Sequence, residues 1–472
     1  MPLKNLKDNF ADWFDEIIRK ADISDNRYPV KGFNILMPTG YEIWERIRTL
    51  LDQKFKVTGH KNAYFPLLIP EEFLEMESEH FSGFVPEVAW VTHRGDTPLK
   101  RKLALRPTSE TCMYYMYSIW IRSHADLPLK MSNWANIIRM DTKNTKPLLR
   151  DREFLWNEAH TCHATAEEAE QQVLESMDIY GTLLDELCLS YLTLQRPPQD
   201  TFPGAIYSIA FDSPLPDGRI LQSGTTHNLG QSFAKVFGIR YLDVDGNTKH
   251  VFQTCYGLST RLIAAIIAIH GDNQGLIIPP RLAPTQIAII PIHFKKEKKI
   301  VNQKAREVTT TLSEHFRVFL DDREQFTPGW KFNEHEMRGV PLRLEIGPRD
   351  VVQNQAVLVR RDTREKTTVA LPKLPNKIRE ILDEISSTLL KRAQKLLHES
   401  IRDVEDLSHL ETLRGFARVN WCGSDTCSET IKEYSSGGEI RGAKHGVSEK
   451  PFGQCIVCGK KNVHVVYVAQ AY

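Results

Sequence analysis

This sequence has no apolar run long enough to cross a membrane. Its longest, Leu262 to Ile269, falls far short of the roughly 20 residues that a spanning helix needs. It also lacks a charge of one sign. Against 60 Asp+Glu it sets 61 Lys+Arg, a net charge of +1, so no global field draws it to a polyanion and any nucleic-acid contact must come from local patches. Internal repeats and low-complexity stretches are absent. Cysteine is sparse. Of the eight, Cys112, Cys162, Cys188 and Cys255 stand singly, as buried thiols do in a large intracellular chain, and the other four cluster near the C-terminus. The N-terminal stretch is no signal sequence, because Phe10, Trp13, Ile17 and Ile18 recur helically among charges. A cytoplasmic protein without a membrane segment is expected.

What is there is enough chain, 472 residues, for about three domains. The chain is organised around RMDTKNTKPLLRDREFLWNEAHTCH, from Arg139 to His163. It reads as strand, polar loop and strand, with Ile137 and Ile138 on the first arm and Phe154, Leu155 and Trp156 on the second. Arg139 and Arg150 then point into one cleft, and arginine is the side chain that meets phosphate or carboxylate with a planar fork. Alternate positions of a strand share a face, so Trp156, Glu158 and His160 line a pocket together.

Upstream, Tyr41 to Phe55 has helical spacing, and the run Ala63 to Ile69 is confined by Pro66 to an edge or irregular strand. LALRPTSET ends a short strand in a loop carrying Thr108, Ser109 and Glu110, where Ser109 reads equally well as a helix cap. Downstream, Ala164 to Leu192 is a long helix pattern with acids in its first turn. Thr201 to Gly204 follows, then ILQSGTTHNLGQSF, whose small residues let a ligand approach the backbone. His227 in that stretch reads, in isolation, as a structural histidine. GLSTRLIAAIIAIHG is a glycine-led turn entering an apolar helix. Arg261 in its first turn opposes the helix dipole, which hints at function.

After the stiff connector Pro279 to Pro284 the pattern alternates strand and helix, including a charged helix from Lys295 to Phe316, as in a compact α/β domain. From about residue 398 a last region carries Cys422-x4-Cys427 and Cys455-x2-Cys458. Paired cysteines at such spacings signal a closed tetrahedral zinc site, with a redox dithiol or inert thiols as the other readings. The segment between the pairs looks too rich in glycine, serine and charge to hold itself by a core.

Taken in order, these pieces resemble a known family. Arg139-Met140-Asp141 with Arg150-x-x-x-Phe154 resembles motif 2 of class II aminoacyl-tRNA synthetases, and LLRDREFLWNEAHT resembles its prolyl version. Arg106 to Glu110 is similar to the Thr-x-Glu loop, Gly257 to Arg261 to motif 3, and GWKFNEHEMRGVPLRLEIGPRD to the anticodon-binding domain. The chain is identified as a member of the prolyl-tRNA synthetases of the archaeal and eukaryote-like type. The resemblance implies an α+β catalytic domain over 1–282, with an antiparallel sheet flanked by helices. It further implies an α/β anticodon-binding domain over 283–397 and a small α+β zinc-binding domain over 398–472.

It also implies ATP-dependent ligation of proline to tRNA(Pro), with Mg2+, a structural Zn2+ on Cys422, Cys427, Cys455 and Cys458, and a homodimer joined through the Tyr41–Phe55 region. Proline would be held by Thr108, Glu110, Arg139, Trp156, Glu158, His160, Phe202 and His227. ATP would be held by Arg139, Asp141, Arg150, Asp151, Gln222, Thr225, Ser259 and Arg261, with Arg139 and Arg261 the catalytic pair and Glu336 and Arg343 candidates at the anticodon. Tyr472 is expected to fold back toward the catalytic domain. Asp141 and Asp151 depart from the family's usual glutamate and threonine. Two rivals are an enzyme of this fold loading threonine or serine, and a synthetase-like tRNA-binding or regulatory protein without activity. A threonine-type site uses metal ligands around the amino acid, and no Cys/His set stands out there. Loss of the motif arginines would mark the regulatory protein, and all three are present. The short stretch between motifs 2 and 3 leaves no room for a large editing insertion.

Overall fold

The computed structural model describes residue 6 and residues 9–80, 87–293 and 296–472. Among them, six strands form the antiparallel centre of an eleven-stranded sheet, in the order Leu192–Gln195, Tyr207–Pro214, Ile220–Gly230, Phe252–Ser259, Glu153–His163 and Leu129–Ile138. Lys61–Asn62 adds in parallel at the edge beside Leu129–Ile138, and the chain then runs irregularly through Pro66 before Leu68–Pro70 joins a separate three-stranded sheet.

Helices cover one face of the large sheet. Phe10–Lys20 starts on an Asn9 cap, whose side chain accepts from the Asp12 N–H at 3.1 Å, and buries Phe10, Trp13, Phe14, Ile17 and Ile18. Pro38–Val57 begins with proline in its first turn and buries Ile43, Trp44, Ile47, Leu51 and Phe55. Arg261–His270 is apolar on every side after Arg261, and it is buried throughout from Leu262 onward. Ala166–Glu186 is shorter than its sequence pattern suggests. Cys188 at φ 58° ends the helical run, and Leu192–Gln195 leaves as a strand.

The predicted α/β unit is a five-stranded sheet in the order Val318–Leu320, Ile287–Pro291, Leu342–Ile346, Gln355–Arg360 and Lys366–Ala370. Its first three strands are parallel and the last two antiparallel. The charged helix occupies Lys298–Ser313, and Lys295, where its pattern begins, lies outside the described residues. Arg361, buried, bridges Asp272 at 2.6 Å and so ties this unit to the end of the Arg261–His270 helix. Gly275, at φ 145°, lets the two approach, because a Cβ there would overlap the backbone of Met337.

The C-terminal region departs from the sequence reading. Its segment between the cysteine pairs is ordered as the helix Asp425–Tyr434 and the strand Glu439–Lys444, with Ile431 and Ile440 in a core shared by Leu410, Val419, Trp421 and Val468. Glycine and serine here serve turns between elements that are completed by distant strands. Glu439–Lys444 pairs with His464–Ala469 on one side and Leu192–Gln195 on the other, so this region continues the large sheet.

Three of the buried histidines, His60, His163 and His270, sit well away from the ordinary imidazole range. Burial holds His60 and His163 down at about 4 and His270 at about 3, all below the ordinary 6.5. A histidine depressed in the folded state binds its proton more readily when unfolded. Its stabilisation is complete above pH 6.5 and is lost as pH falls from 6.5 to the folded value, roughly 3 kcal/mol per group by pH 4. Melting temperature should therefore fall from pH 6.5 to 4, by less than the three rings alone would give because the buried Asp151 carboxyl, raised to about 7, gains stability over the same span; a midpoint unchanged at pH 5 in Asp151→Asn would show that these rings ionise without opposing the fold.

Candidate active site

Strand register builds the site in rows across the sheet. One row pairs Ser208 with His227, His227 with Cys255 and Cys255 with His160. Two residues along, Thr225 pairs with Gly257, Gly257 with Glu158 and Glu158 with Asn133. Two further on, Ser259 pairs with Trp156. Alternation puts these rows on one face, with no side chain at Gly257 in the middle. The glycine-led turn expected at Gly257 is thus strand, and the helix begins directly at Arg261.

Over this face lie two cavities. The first, about 310 Å³, is lined by Arg139, Asp141, Arg150, Asp151, Gln222, Thr225, Ser259, Arg261 and the terminal Tyr472. It is strongly cationic. Burial, then the guanidiniums of Arg139 and Arg150, bring Arg261 down to about 10. Arg261 Nε donates to the Leu149 carbonyl at 2.9 Å, which fixes its fork against the hairpin loop. That loop is held in turn by Asp151, whose oxygens accept from Asn34 Nδ2 at 2.5 Å and from the Leu148 N–H at 2.8 Å. Leu148 sits at φ 64°, a strained position for a branched side chain. Burial pushes Asp151 up to about 7. Its hydrogen bonds make it a brace for the loop, whereas Asp141 is exposed.

The second cavity, about 800 Å³, is lined by Thr108, Glu110, Glu158, His160, Phe202 and His227, with Arg139, Trp156, Gln222, Thr225 and Gly257 shared between the two. Thr108 donates its hydroxyl hydrogen to Glu110, and burial raises the Glu110 carboxyl. Glu158 accepts from the Ser109 N–H at 3.2 Å and from Asn133 Nδ2 at 2.9 Å, so it braces the loop that carries Thr108 and Glu110. Ser109 makes no side-chain cap; besides this backbone bond its Oγ accepts from Asn133 Nδ2 at 3.2 Å. His227 Nδ1 lies 2.7 Å from Ser208 Oγ and its ring 5.0 Å from that of Phe202. Arg139 spans both cavities. Its Nε donates to the Pro107 carbonyl at 3.2 Å and its guanidinium lies 5.4 Å from the Trp156 ring.

Sequence reasoning missed a buried triad behind this wall. Asp212, fully buried, accepts from Arg196 at 2.8 and 2.9 Å and from Arg441 Nε at 3.0 Å, and Arg196 also donates to Gln222 Oε1 at 2.9 Å. Burial alone would raise Asp212, but the two guanidiniums hold it well below the usual carboxylate range. Arg441 gets there because Gly442, at φ 118°, brings its strand against Leu192–Gln195, where a Cβ would overlap the Gln195 carbonyl. The readable signal was an acid, Asp212, inside the apolar run YSIAFDSP. Tyr472 closes the same region. Its N–H donates to the Ile220 carbonyl at 3.0 Å and its hydroxyl to Asp217 at 2.5 Å.

Elsewhere, Glu336 and Arg343 meet each other at 2.6 Å, with the guanidinium 4.1 Å from the Phe332 ring. The four C-terminal sulfurs converge within 4.8 Å, and Cys422 lies 3.7 Å from both Cys427 and Cys458. A tetrahedron with Zn–S bonds of about 2.3 Å has sulfurs about 3.8 Å apart, so the donor set fits zinc.

Comparison with known proteins agrees with this geometry. Residues 90–270 match the tRNA synthetase class II core domain (G, H, P, S and T), 286–381 an anticodon binding domain and 406–472 the prolyl-tRNA synthetase C-terminal domain. The chain is 44% identical to the proline--tRNA ligase of Alkaliphilus oremlandii, covering 98% of this chain and 96% of that one. It is also 44% identical to that of Pyrococcus abyssi, covering 99% of each. A Giardia lamblia prolyl-tRNA synthetase solved with prolyl-adenylate superposes with a TM-score of 0.95 at 38% identity, over the whole of both chains.

Replacing Arg441 with methionine leaves Asp212 with one guanidinium in a buried setting, a loss of about 3–5 kcal/mol. Hydrogen exchange should quicken in Glu439–Lys444 and Leu192–Gln195 while the five-stranded unit is unaffected. Equal protection in both proteins would reduce the triad to a neutral contact.

Proposed function

The chain belongs to the prolyl-tRNA synthetases of class II, and from that premise, with ligation of L-proline to tRNA(Pro) as its activity, we propose how the two cavities divide the work. The reaction joins the proline carboxylate to the α-phosphate of ATP, expels pyrophosphate, and then transfers the prolyl group to the terminal ribose of the tRNA. Its nucleophile is already ionised. Catalysis is then alignment and neutralisation of phosphate charge, with no general base.

The observation that carries the reading is Arg139, the one cation lining both cavities among the described residues. It bridges the proline carboxylate and the α-phosphate, and Arg150 and Arg261 hold the distal phosphates. Gln222, Thr225 and Ser259 border the nucleotide, while Asp151 acts through the loop it braces. In the second cavity the secondary ammonium of proline donates its two hydrogens to the Thr108 hydroxyl and the Glu110 carboxylate. Trp156, Phe202 and His227 shape the ring pocket, and Glu158 and His160 support it. Asp141, exposed in the first cavity, together with the ATP phosphates would hold Mg2+, which usually keeps its waters and takes only one or two carboxylates. The metal supplies neutralisation of the departing pyrophosphate.

Cys422, Cys427, Cys455 and Cys458 hold a structural zinc, with no open position for water. Catalytic, anticodon-binding and zinc-binding units divide near residues 282 and 397, and the Glu336–Arg343 pair reads the anticodon. Exposed Tyr28, Ile35, Tyr41 and Tyr64 around the Pro38–Val57 helix offer apolar surface for a homodimer. No helix among the described residues is long and apolar enough to cross a membrane, and we assign the enzyme to the cytoplasm.

The deciding assay is proline-dependent exchange of pyrophosphate into ATP. Arg139→Ala should lower it about a hundredfold, on the order of 3 kcal/mol, without changing the melting temperature. Near-normal exchange by this variant would make Arg139 a salt-bridge residue; exchange with threonine or serine in place of proline would end the pocket assignment.

The zinc assignment has its own check. Protein purified without added metal should carry one equivalent of zinc, and Cys455→Ser should lose it and expose residues 439–469 to proteolysis. Its effect on proline activation should be secondary. Metal-free native protein, or these cysteines found as disulfides, would remove the site.

A further inference from the structure

Three groups with metal-ligand chemistry converge inside the second cavity, apart from the C-terminal cysteines. Glu110 opens the helix Glu110–Trp120, and Cys255 and His160 are cross-strand partners. Their ligating atoms all lie within 4.8 Å of one another, and each residue is 5% exposed or less while lining the cavity. In the sequence Cys255 looked like an isolated buried thiol, and no Cys/His set stood out near the amino-acid pocket. The register of Phe252–Ser259 against Glu153–His163 makes one.

We propose that Glu110, His160 and Cys255 form a three-ligand site for a thiophilic divalent cation, Zn2+ above all, which fills the pocket in competition with the ammonium of proline. Carboxylate, imidazole and thiolate are the donor types zinc accepts, and three protein ligands leave a fourth position open toward the cavity. The outer shell is already built. Tyr114 OH lies 2.8 Å from His160 Nδ1, which makes Nε2, now 3.4 Å from Glu158 Oε2, the ligating nitrogen, and Thr108 orients the Glu110 carboxylate through Oε2. Zinc bonds of about 2.0–2.3 Å put donor atoms about 3.3–3.8 Å apart, so the three side chains draw in by about 1 Å. Electrostatics favours the cation. Two buried carboxylates, Glu110 and Glu158, face the space that must receive a positive group, and a divalent ion answers that field more strongly than an ammonium.

Competition with proline rests on the pocket reading above; the metal site does not. The test is equilibrium dialysis of full-length protein, already carrying one equivalent of zinc, against Zn2+ alone and then with saturating proline. A second equivalent should bind, leave when proline is added, and be absent from Cys255→Ser. Tyr114→Phe, which keeps all three ligands, should bind the second equivalent about tenfold more weakly or worse. Saturation at one equivalent, or a second equivalent kept by Cys255→Ser and unchanged in Tyr114→Phe, overturns the site. A second equivalent that proline cannot displace overturns the competition. Exchange measured before zinc is added reports on the proline pocket independently.

Discussion

The pairing of Glu153–His163 with its two neighbours fixes everything chemical about this molecule. Backbone hydrogen bonds set which residues stand opposite each other, and side chains alternate between faces. A slip of one residue would therefore turn Trp156, Glu158 and His160 toward the helices and bring Leu155, Asn157 and Ala159 to the site. The opposite face prevents the slip. Ala159 belongs to the core beneath the sheet with Leu258 and Tyr256, while Asn157 donates to Ser132 Oγ at 2.9 Å. Core packing on one side of the strand thus holds the ligand-facing row on the other.

Upon that frame the site is divided by sign of charge. Arg139, Arg150 and Arg261 crowd one cavity, where burial and then the neighbouring guanidiniums depress Arg261, and Glu110 and Glu158 are buried in the other. Each arrangement is unfavourable when empty. Like charges held together in a desolvated cleft raise the energy of the free protein, and a substrate of the opposite charge in each half relieves it. A molecule that is cationic at one end and joined to phosphate at the other satisfies both at once, and Arg139 stands at the boundary.

Much of this was legible in the sequence because it is local. The hairpin, the alternation on its return strand, the loop of Thr108 and Glu110 and the cysteine spacing each lie within a few residues, where periodicity and motif suffice. What escaped is what only tertiary pairing creates. Arg196 follows the strand Leu192–Gln195 and Asp212 lies on the neighbouring strand, but Arg441 comes from far down the chain, and the Cys255–His160 contact exists only through register. Local composition also misled. The segment between the cysteine pairs looks unable to hold a core, yet it forms a helix and a strand completed by the catalytic sheet on one side and by His464–Ala469 on the other.

That shared sheet changes what the C-terminal region is for. A zinc module attached by a linker would stabilise itself alone, but here Glu439–Lys444 delivers Arg441 to Asp212, and Asp212 holds Arg196 against Gln222 at the cavity wall. Tyr472, just past the strand His464–Ala469, reaches the cavity itself. The four cysteines bracket this stretch, so a metal on them would pin both ends of the segment that carries Arg441. A metal there would make order at the cysteines and order in the wall of the first cavity one folding event, coupled through a buried carboxylate between two guanidiniums that cannot lose either partner cheaply.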